Sequence, residues 1–324
     1  MKRYLNAIRN RIIKCKSIFD YYTDFNELKR CCLIELELCN FCNALCIFCP
    51  WIAIKKTNKK FNKMSIETYE KVLEKISQQD YYTISFTPTT GELLIHDKWY
   101  EYIEKAFNLK NIKKIIFYSN AILLNEKNRY KLLSLLNNKN NKIKELHFSI
   151  GGIDKETYKL MYGVDQFENV KNNIELLLEL LKKNEKKVKV LIEIRKPKQN
   201  DLKEKDIIET FNNVGYENLT IRILKKFIPI KCIDIREELE YSEMSKKMNK
   251  PCLKLYKTRY DANGGIWADG CVISEMPNSE ELKLGTVYDS LEEIEKNRDK
   301  IIENWKNKII PETCKECQIY NWYS

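Results

Sequence analysis

From residue 33 onward, short apolar runs alternate with longer amphipathic ones. The short runs are rich in β-forming residues and lie at 33–38 (LIELEL), 82–87 (YTISFT), 114–118 (KIIFY), 144–149 (KELHFS), 188–194 (VKVLIEI) and 219–224 (LTIRIL). Helical periodicity fills the gaps, over Ser65–Ile76, Trp99–Leu109, Glu126–Leu136, Val170–Lys183 and Leu202–Val214. Ser65, followed by Glu67 and periodic apolar residues, reads as a helix start. Strand–helix units repeated in sequence predict an α/β fold whose sheet is parallel, with right-handed crossovers. Six such units make a partial (β/α)6 version of the eight-unit TIM-type barrel. Its site is expected at the C-terminal ends of the strands.

The ends of the chain break this rhythm. Residues 1–30 read as a basic amphipathic helix, with Leu5, Ile8, Ile12, Phe19 and Tyr22 on one face and Arg3, Arg9, Arg11 and Lys14 elsewhere. A membrane-surface helix and a transit peptide are alternatives. Packing against the following domain is preferred, because Asp20, Asp24 and Glu27 interrupt the charge. Residues 31–228 are read as the barrel. After Phe227 the pattern fails, and residues 229–324 are read as a small cysteine-rich second domain with a helix near 290–305.

Composition narrows the function classes. No run of about 18 uncharged apolar residues is present, so no transmembrane helix is expected. No secretory signal is legible, which points to the cytoplasm. The net charge of +11 is spread along the chain, which reads as solvated lysine-rich faces ahead of an anionic substrate. No basic run interleaved with aromatics suggests nucleic acid as a partner. The 12 cysteines do not read as a disulfide framework in a reducing compartment. Four fall between Cys39 and Cys49 and four more after residue 250, as metal ligands would. Cys15, Cys31, Cys32 and Cys232 lack partner spacing and read as small buried hydrophobes. His96 and His147 are assigned to packing or hydrogen bonding.

Cys42, Cys46 and Cys49 in CNALCIFCP have the spacing C-x3-C-x2-C and follow directly on the first strand. A four-iron cluster held by three thiolates keeps one iron open for another ligand. Zinc on Cys39, Cys42, Cys46 and Cys49 is the competing reading, since C-x2-C pairs suit it. The position at the top of a barrel strand favours the cluster. With an aromatic residue before the last cysteine, this stretch resembles the signature of the radical S-adenosylmethionine (SAM) superfamily, over about residues 30–230. The resemblance implies a [4Fe-4S] cluster whose open iron chelates SAM and which cleaves it to methionine and a 5′-deoxyadenosyl radical.

Further segments resemble family motifs. Thr90-Gly91-Glu92 is similar to GGE, which implies that Glu92 binds the methionine amino group. Tyr118-Ser119-Asn120 is similar to TNG, placing Ser119 and Asn120 near SAM, with Ala121 where the family has Gly. Ser149-Ile150-Gly151-Gly152 is similar to SxDG, with Gly151 in place of Asp. Phe48 would lie along the adenine. Where the family often has Arg before a Gly, this chain has Tyr162 before Gly163. Arg195 is the substitute expected for the SAM carboxylate.

Cys252, Cys271, Cys314 and Cys317 form a second set. Four thiolates from three segments would staple a domain too short for a large core. Beside a radical SAM barrel the arrangement resembles the Twitch domain, a shortened SPASM domain, and implies an auxiliary [4Fe-4S] cluster; structural zinc is the alternative. A fully ligated cluster suits electron transfer. The expected enzyme is therefore an oxidoreductase acting on a C–H bond of a small, sugar- or cyclitol-like substrate, by dehydrogenation or epimerisation. An electron donor such as flavodoxin or ferredoxin is expected. A peptide-modifying maturase is the rival, disfavoured by the short stretch before the barrel. A non-catalytic zinc- or cluster-binding protein is the third reading. No catalytic base is assigned; Arg195, Lys226 and Arg236 are candidates, each with solvated surface charge as its more ordinary role.

Overall fold

The structure is a computed structural model and describes residues 33–56, 60–79, 81–86, 90–199, 204–211, 213–227, 234–241, 250–268, 279–315, 317 and 320. The N-terminal helix expected over 1–30, and Cys15, Cys31, Cys32, Cys232 and Cys271, lie outside the described residues.

Six strands follow the expected order: β1 (Leu33–Leu36), β2 (Thr83–Phe86), β3 (Lys114–Ser119), β4 (Ile143–Gly151), β5 (Lys189–Arg195) and β6 (Leu219–Leu224). Each pairs in parallel with the next. The helices are α1 (Trp51–Ile54), α2 (Ile66–Ser77), α3 (Trp99–Ala106), α4 (Glu126–Asn137), α5 (Lys155–Tyr162), α6 (Phe167–Lys183) and α7 (Glu204–Phe211). A sequential parallel order, wound one way, puts the helices on one face and lets the sheet curl around the other. This is the partial barrel expected from the sequence.

Local chemistry sets the helix ends. Ser65, Asn125 and Asp154 cap α2, α4 and α5, each accepting a hydrogen bond from the backbone N–H three residues on. Gly163 ends α5 in the left-handed region, with φ of 65°. Helix α5 itself was not expected, and α6 starts at Phe167 rather than at residue 170.

The strand period of two divides the sheet faces. Ile34, Leu36, Ile84, Phe86, Ile115, Phe117, Leu146, Phe148, Ile150, Val190, Ile192 and Ile194 are fully or nearly fully buried, in one core with Tyr69, Val72, Ile103, Leu132 and Leu177 of the helices. Each such apolar side chain contributes about 1.5–3 kcal/mol. The alternate positions are largely polar: Glu35, Ser85, Tyr118, Glu145, His147, Ser149, Glu193, Arg195 and Arg222. The barrel interior is therefore hydrophilic.

The strands after residue 250 join the barrel sheet rather than forming one of their own. After the short parallel pair β7 (Lys226–Phe227) and β8 (Glu240–Tyr241), strand β9 (Thr258–Tyr260) joins the free edge of β1 in parallel. Strands β10 (Gly265–Trp267) and β11 (Lys283–Thr286) extend it, giving one sheet of nine strands. An open β1 edge would leave a row of unpaired backbone groups, and β9 satisfies them. Helix α8 (Leu291–Lys306) covers this part. Its Arg298 donates to the carbonyls of Leu255 and Lys257 and to the Thr258 hydroxyl, at 2.6, 2.8 and 2.8 Å. Among the described residues no helix is long and apolar enough to cross a membrane.

One ion pair ties the first strand to this addition. Arg259 Nη1 donates to Glu37 Oε2 at 3.0 Å, and both side chains are at most 1% exposed. Arg259 also lies over the Trp267 ring. Removing one member of such a pair strands the other charge. Arg259→Met is expected to cost about 3–5 kcal/mol in urea denaturation, and the Glu37→Leu/Arg259→Met double variant much less.

Candidate functional site

The site is built where β1, β2, β3, β4 and β5 end. The cysteine loop leaves β1 and is fixed along its length by backbone hydrogen bonds. Leu45 N–H donates to the Tyr162 carbonyl at 2.8 Å, and Ile47 N–H to that of Met161 at 3.0 Å. Both acceptors lie in the last turn of α5, where carbonyls have no partner within the helix. A side chain at Gly163 would meet the Leu45 carbonyl oxygen at 2.7 Å, so only glycine allows this contact. Pro50 opens the short helix α1 directly after Cys49.

Cys46 lies within electrostatic reach of both Cys42 and Cys49. Burial, reinforced by the nearby Glu92, pushes the Cys42 thiol up to about 12. Burial also pushes Cys46 well up, against the pull of Arg195. Cys39 differs. It is fully buried, its Sγ donates to the Phe41 carbonyl at 3.4 Å, and its charged neighbours are Glu37, Lys63 and Glu92. Four thiolates on one zinc ion stand only about 3.8 Å apart. Among the described residues no group of three His, Cys, Asp or Glu is gathered closely enough for a single metal ion. Three soft thiol donors on one loop are suited to a cluster with one ligand per iron.

The segment after β2 closes on this loop. Glu92 N–H donates to the Phe41 carbonyl at 3.0 Å. A Cβ at Gly91 would fall 1.9 Å from the Cys39 carbonyl oxygen, so glycine is required here too. The Glu92 carboxylate is buried and accepts from Leu94 N–H at 3.0 Å, the Ser119 hydroxyl at 2.7 Å and Asn120 N–H at 2.8 Å. Burial still raises it above the ordinary carboxylate range, against these three donors. Asn120 also reaches the cysteine loop, donating to Asn43 Oδ1 at 2.8 Å and to Cys42 Sγ at 3.7 Å. Asn43 Nδ2 and Thr90 Oγ1 are buried without partners. A buried carboxylate beside unpaired polar atoms fits a polar ligand with an ammonium-like group, which is the chemistry of the methionine end of SAM.

Phe48 and Arg195 pack together, with Arg195 in electrostatic reach of Cys46. The Arg195 guanidinium lies over the Phe48 ring, 4.7 Å from its centroid. Arg195 Nε donates to Ser149 Oγ at 3.3 Å, and Nη2 to Glu193 at 3.4 Å. Ser149 also accepts from the Tyr162 hydroxyl at 2.9 Å. Phe48 packs against Tyr162 and Phe227 as well, at 5.9 and 5.3 Å. The structure thus brings Cys42, Cys46, Phe48, Glu92, Ser119, Asn120, Ser149 and Arg195 to one end of the barrel.

That end of the chain has known counterparts. Residues 36–194 match the family model of the Radical SAM superfamily. The radical SAM likeness thus holds over residues 36–194, just under half of the chain. Solved structures share the fold around it. Streptococcus suis SuiB, bound to its precursor peptide SuiA, matches with a TM-score of 0.62 and 13% identity over 98% of this chain and 75% of SuiB. The anSMEcpe protein with bound AdoMet matches with a TM-score of 0.55 and 18% identity over 89% of this chain and 87% of its own. BtrN in complex with AdoMet and 2-DOIA gives a TM-score of 0.47 and 14% identity over 85% and 89% of the two chains. For SuiB and anSMEcpe, at these identities, the likeness is one of fold. No curated protein matches the chain. That family's chemistry rests on a [4Fe-4S] cluster and SAM.

Of the second cysteine set, Cys252 and Cys314 are buried, and Cys317 N–H donates to the Cys314 carbonyl at 3.0 Å. The Tyr320 hydroxyl bonds both backbone groups of Lys250, at 2.9 Å to its carbonyl and 3.2 Å from its N–H. This draws the Cys314–Cys317 turn toward the segment bearing Cys252. Lys226, a candidate base, pairs instead with Glu240 at 3.6 Å and is mostly exposed. Arg236 lies before β8, its N–H donating to the Tyr241 hydroxyl. The sequence reading missed the interior row of Tyr118, Glu145, His147, Glu193 and Arg222. The signal available was polar residues recurring every second position in β4 and β5.

Gly91→Ala tests how tightly the two loops are packed. The added methyl must push the Cys39 carbonyl away and shift the cysteine loop with it. Lower iron content after reconstitution is expected, with secondary structure by circular dichroism unchanged.

Proposed function

We propose that this chain is a radical SAM enzyme in which Cys42, Cys46 and Cys49 hold the SAM-binding [4Fe-4S] cluster. The convergence of Glu92, Ser119 and Asn120 on the cysteine loop carries this reading. When bound, the cluster and SAM supply a 5′-deoxyadenosyl radical that removes a hydrogen atom from substrate. Glu92, already oriented by three donors, takes the SAM amino group. Ser119 and Asn120 fix that carboxylate and the loop beside it. Phe48 offers an apolar face to the adenine, and Ser149 holds Arg195 beside it. Arg195 meets the SAM carboxylate from its place over Phe48.

The substrate is a small hydroxylated molecule of sugar or cyclitol type, and the reaction is dehydrogenation or epimerisation at a C–H bond. The polar barrel interior supports this, because hydroxyl-rich rings need hydrogen-bonding walls. Cys252, Cys271, Cys314 and Cys317 form an auxiliary [4Fe-4S] site, in a Twitch-like domain after residue 228, which accepts the electron released in an oxidation. A flavodoxin or ferredoxin supplies the electron for SAM cleavage.

Three outcomes test this. Replacing Cys42, Cys46 and Cys49 with Ala should abolish 5′-deoxyadenosine formation, measured by chromatography, while iron on the second site remains; continued formation overturns the assignment. Glu92→Ala should keep iron content but weaken SAM binding by about 1.5–3 kcal/mol in a titration. Cys314→Ala/Cys317→Ala should still move deuterium from labelled substrate into 5′-deoxyadenosine yet give no oxidised product. Full oxidised product from that variant would remove the acceptor role.

A further inference from the structure

Glu145, His147 and Ser149 occupy successive interior positions of β4, and the first two form a built pair. Lys114 Nζ binds Glu145 Oε1 at 2.7 Å, and His147 Nε2 meets Glu145 Oε2 at 3.0 Å. Burial alone would raise the Glu145 carboxyl, but Lys114 and then His147 hold it below its ordinary range. An ionised carboxylate only accepts hydrogen bonds. Nε2 is therefore the nitrogen that carries the proton. Burial holds the ring itself below the ordinary histidine range, against the pull of Glu145, so it is neutral near pH 7. Nδ1 is left as a bare lone pair.

That lone pair has no use inside the protein. His147 is 9% exposed, and its Nδ1 is buried with no hydrogen-bond partner. Native proteins rarely leave such an acceptor unpaired without a role for it. Its surroundings belong to the barrel interior. The Tyr118 ring meets the imidazole edge to face, with centroids 4.3 Å apart. The Tyr118 hydroxyl feels Glu193 of β5, Glu35 of β1, Glu145 of β4 and Arg222 of β6. Charges here already have partners: Glu145 has Lys114, and Glu193 has Arg195 and Arg222 at 3.4 and 3.5 Å. The demand left over is for a neutral donor.

We propose that His147 is a substrate-recognition residue, its Nδ1 accepting a hydrogen bond from an O–H or N–H group of a small hydroxylated or amino-hydroxylated ring. Glu145 is a positioning residue that fixes the tautomer. The inference rests on the reading of the substrate as sugar- or cyclitol-like, and it names the side chain that would read it. Ser149, two residues on, is hydrogen-bonded to Arg195, so the recognition site and the SAM wall share one strand.

The chain has 2 histidines, so its imidazole ¹⁵N spectrum contains two rings, and His147→Gln assigns them. The probes are scyllo-inosamine, myo-inositol and a fully O-methylated inositol, added to reconstituted holoenzyme with SAM. Without probe, the ring should be protonated at Nε2 near neutral pH. Saturating inosamine or inositol should move the Nδ1 resonance upfield, and the methylated ring, which has no donor, should not. His147→Phe should weaken binding of the hydroxylated probe about tenfold, or 1.4 kcal/mol, with SAM affinity unchanged. A proton on Nδ1, an unmoved Nδ1 resonance with hydroxylated rings, or equal probe affinity in His147→Phe overturns the proposal. SAM cleavage is assayed separately. Its loss sinks the radical SAM reading, whereas intact cleavage with no response at His147 sinks only this inference.

Discussion

The end of one short helix determines the shape of the site. The last carbonyls of α5 have no partner within the helix, and the cysteine loop supplies two N–H donors, from Leu45 and Ile47. Each bond is worth about 0.5–1.5 kcal/mol net, but an unmade one would cost more, so helix end and loop hold each other in place. Gly163 makes the approach possible because it has no side chain and turns the chain left-handed at once. Thiols that must remain available for metal cannot be fixed by bonding to each other. Their backbone is fixed instead.

A second constraint follows from burial. Glu92 is buried with its carboxylate held by three hydrogen-bond donors, and among the described residues no ion pair to it is present. Burial raises it despite those donors. The fold therefore keeps a carboxylate where water solvates it poorly, next to thiols whose ionisation it opposes. That arrangement disfavours the protein alone and favours it with a cationic group in place.

The barrel was legible because its signal is physical and repeated. Alternation of Val, Ile and Phe over six runs states both strand and face, and the structure keeps all six within two residues of the expected bounds. Helix α5 was not legible, although Asp154 and Gly163 mark its ends. It is only eight residues long, and the strand before it was expected to end at residue 149. Strand β4 instead runs to Gly151, because pairing with β5 continues to Arg195 and the Tyr162 ring takes the space a side chain would fill at Gly151. The cysteine triplet was singled out by its spacing together with its place directly after the first strand. The interior pair of Glu145 and His147 was marked only by polar residues at every second position, which shows that the strand has two unlike faces but not that the polar one will be enclosed. The place of the C-terminal segment was also hidden. Sequence marks where the barrel rhythm stops, whereas the free edge of β1 decides where the later strands dock.

That docking has a consequence for how the chain reaches its final form. Ile34 pairs with Thr258, so the first strand meets one of its two neighbours only after most of the polypeptide exists. Contacts so distant in sequence slow folding, since a long loop must close before they reward it. On the ribosome, β1 is synthesised early and must wait with one edge bare until residues beyond 258 emerge. A bare edge is a template for pairing with other chains. Proteostasis of this protein is thus tied to its last quarter: a truncated or stalled chain would carry the cysteine loop on an unprotected strand.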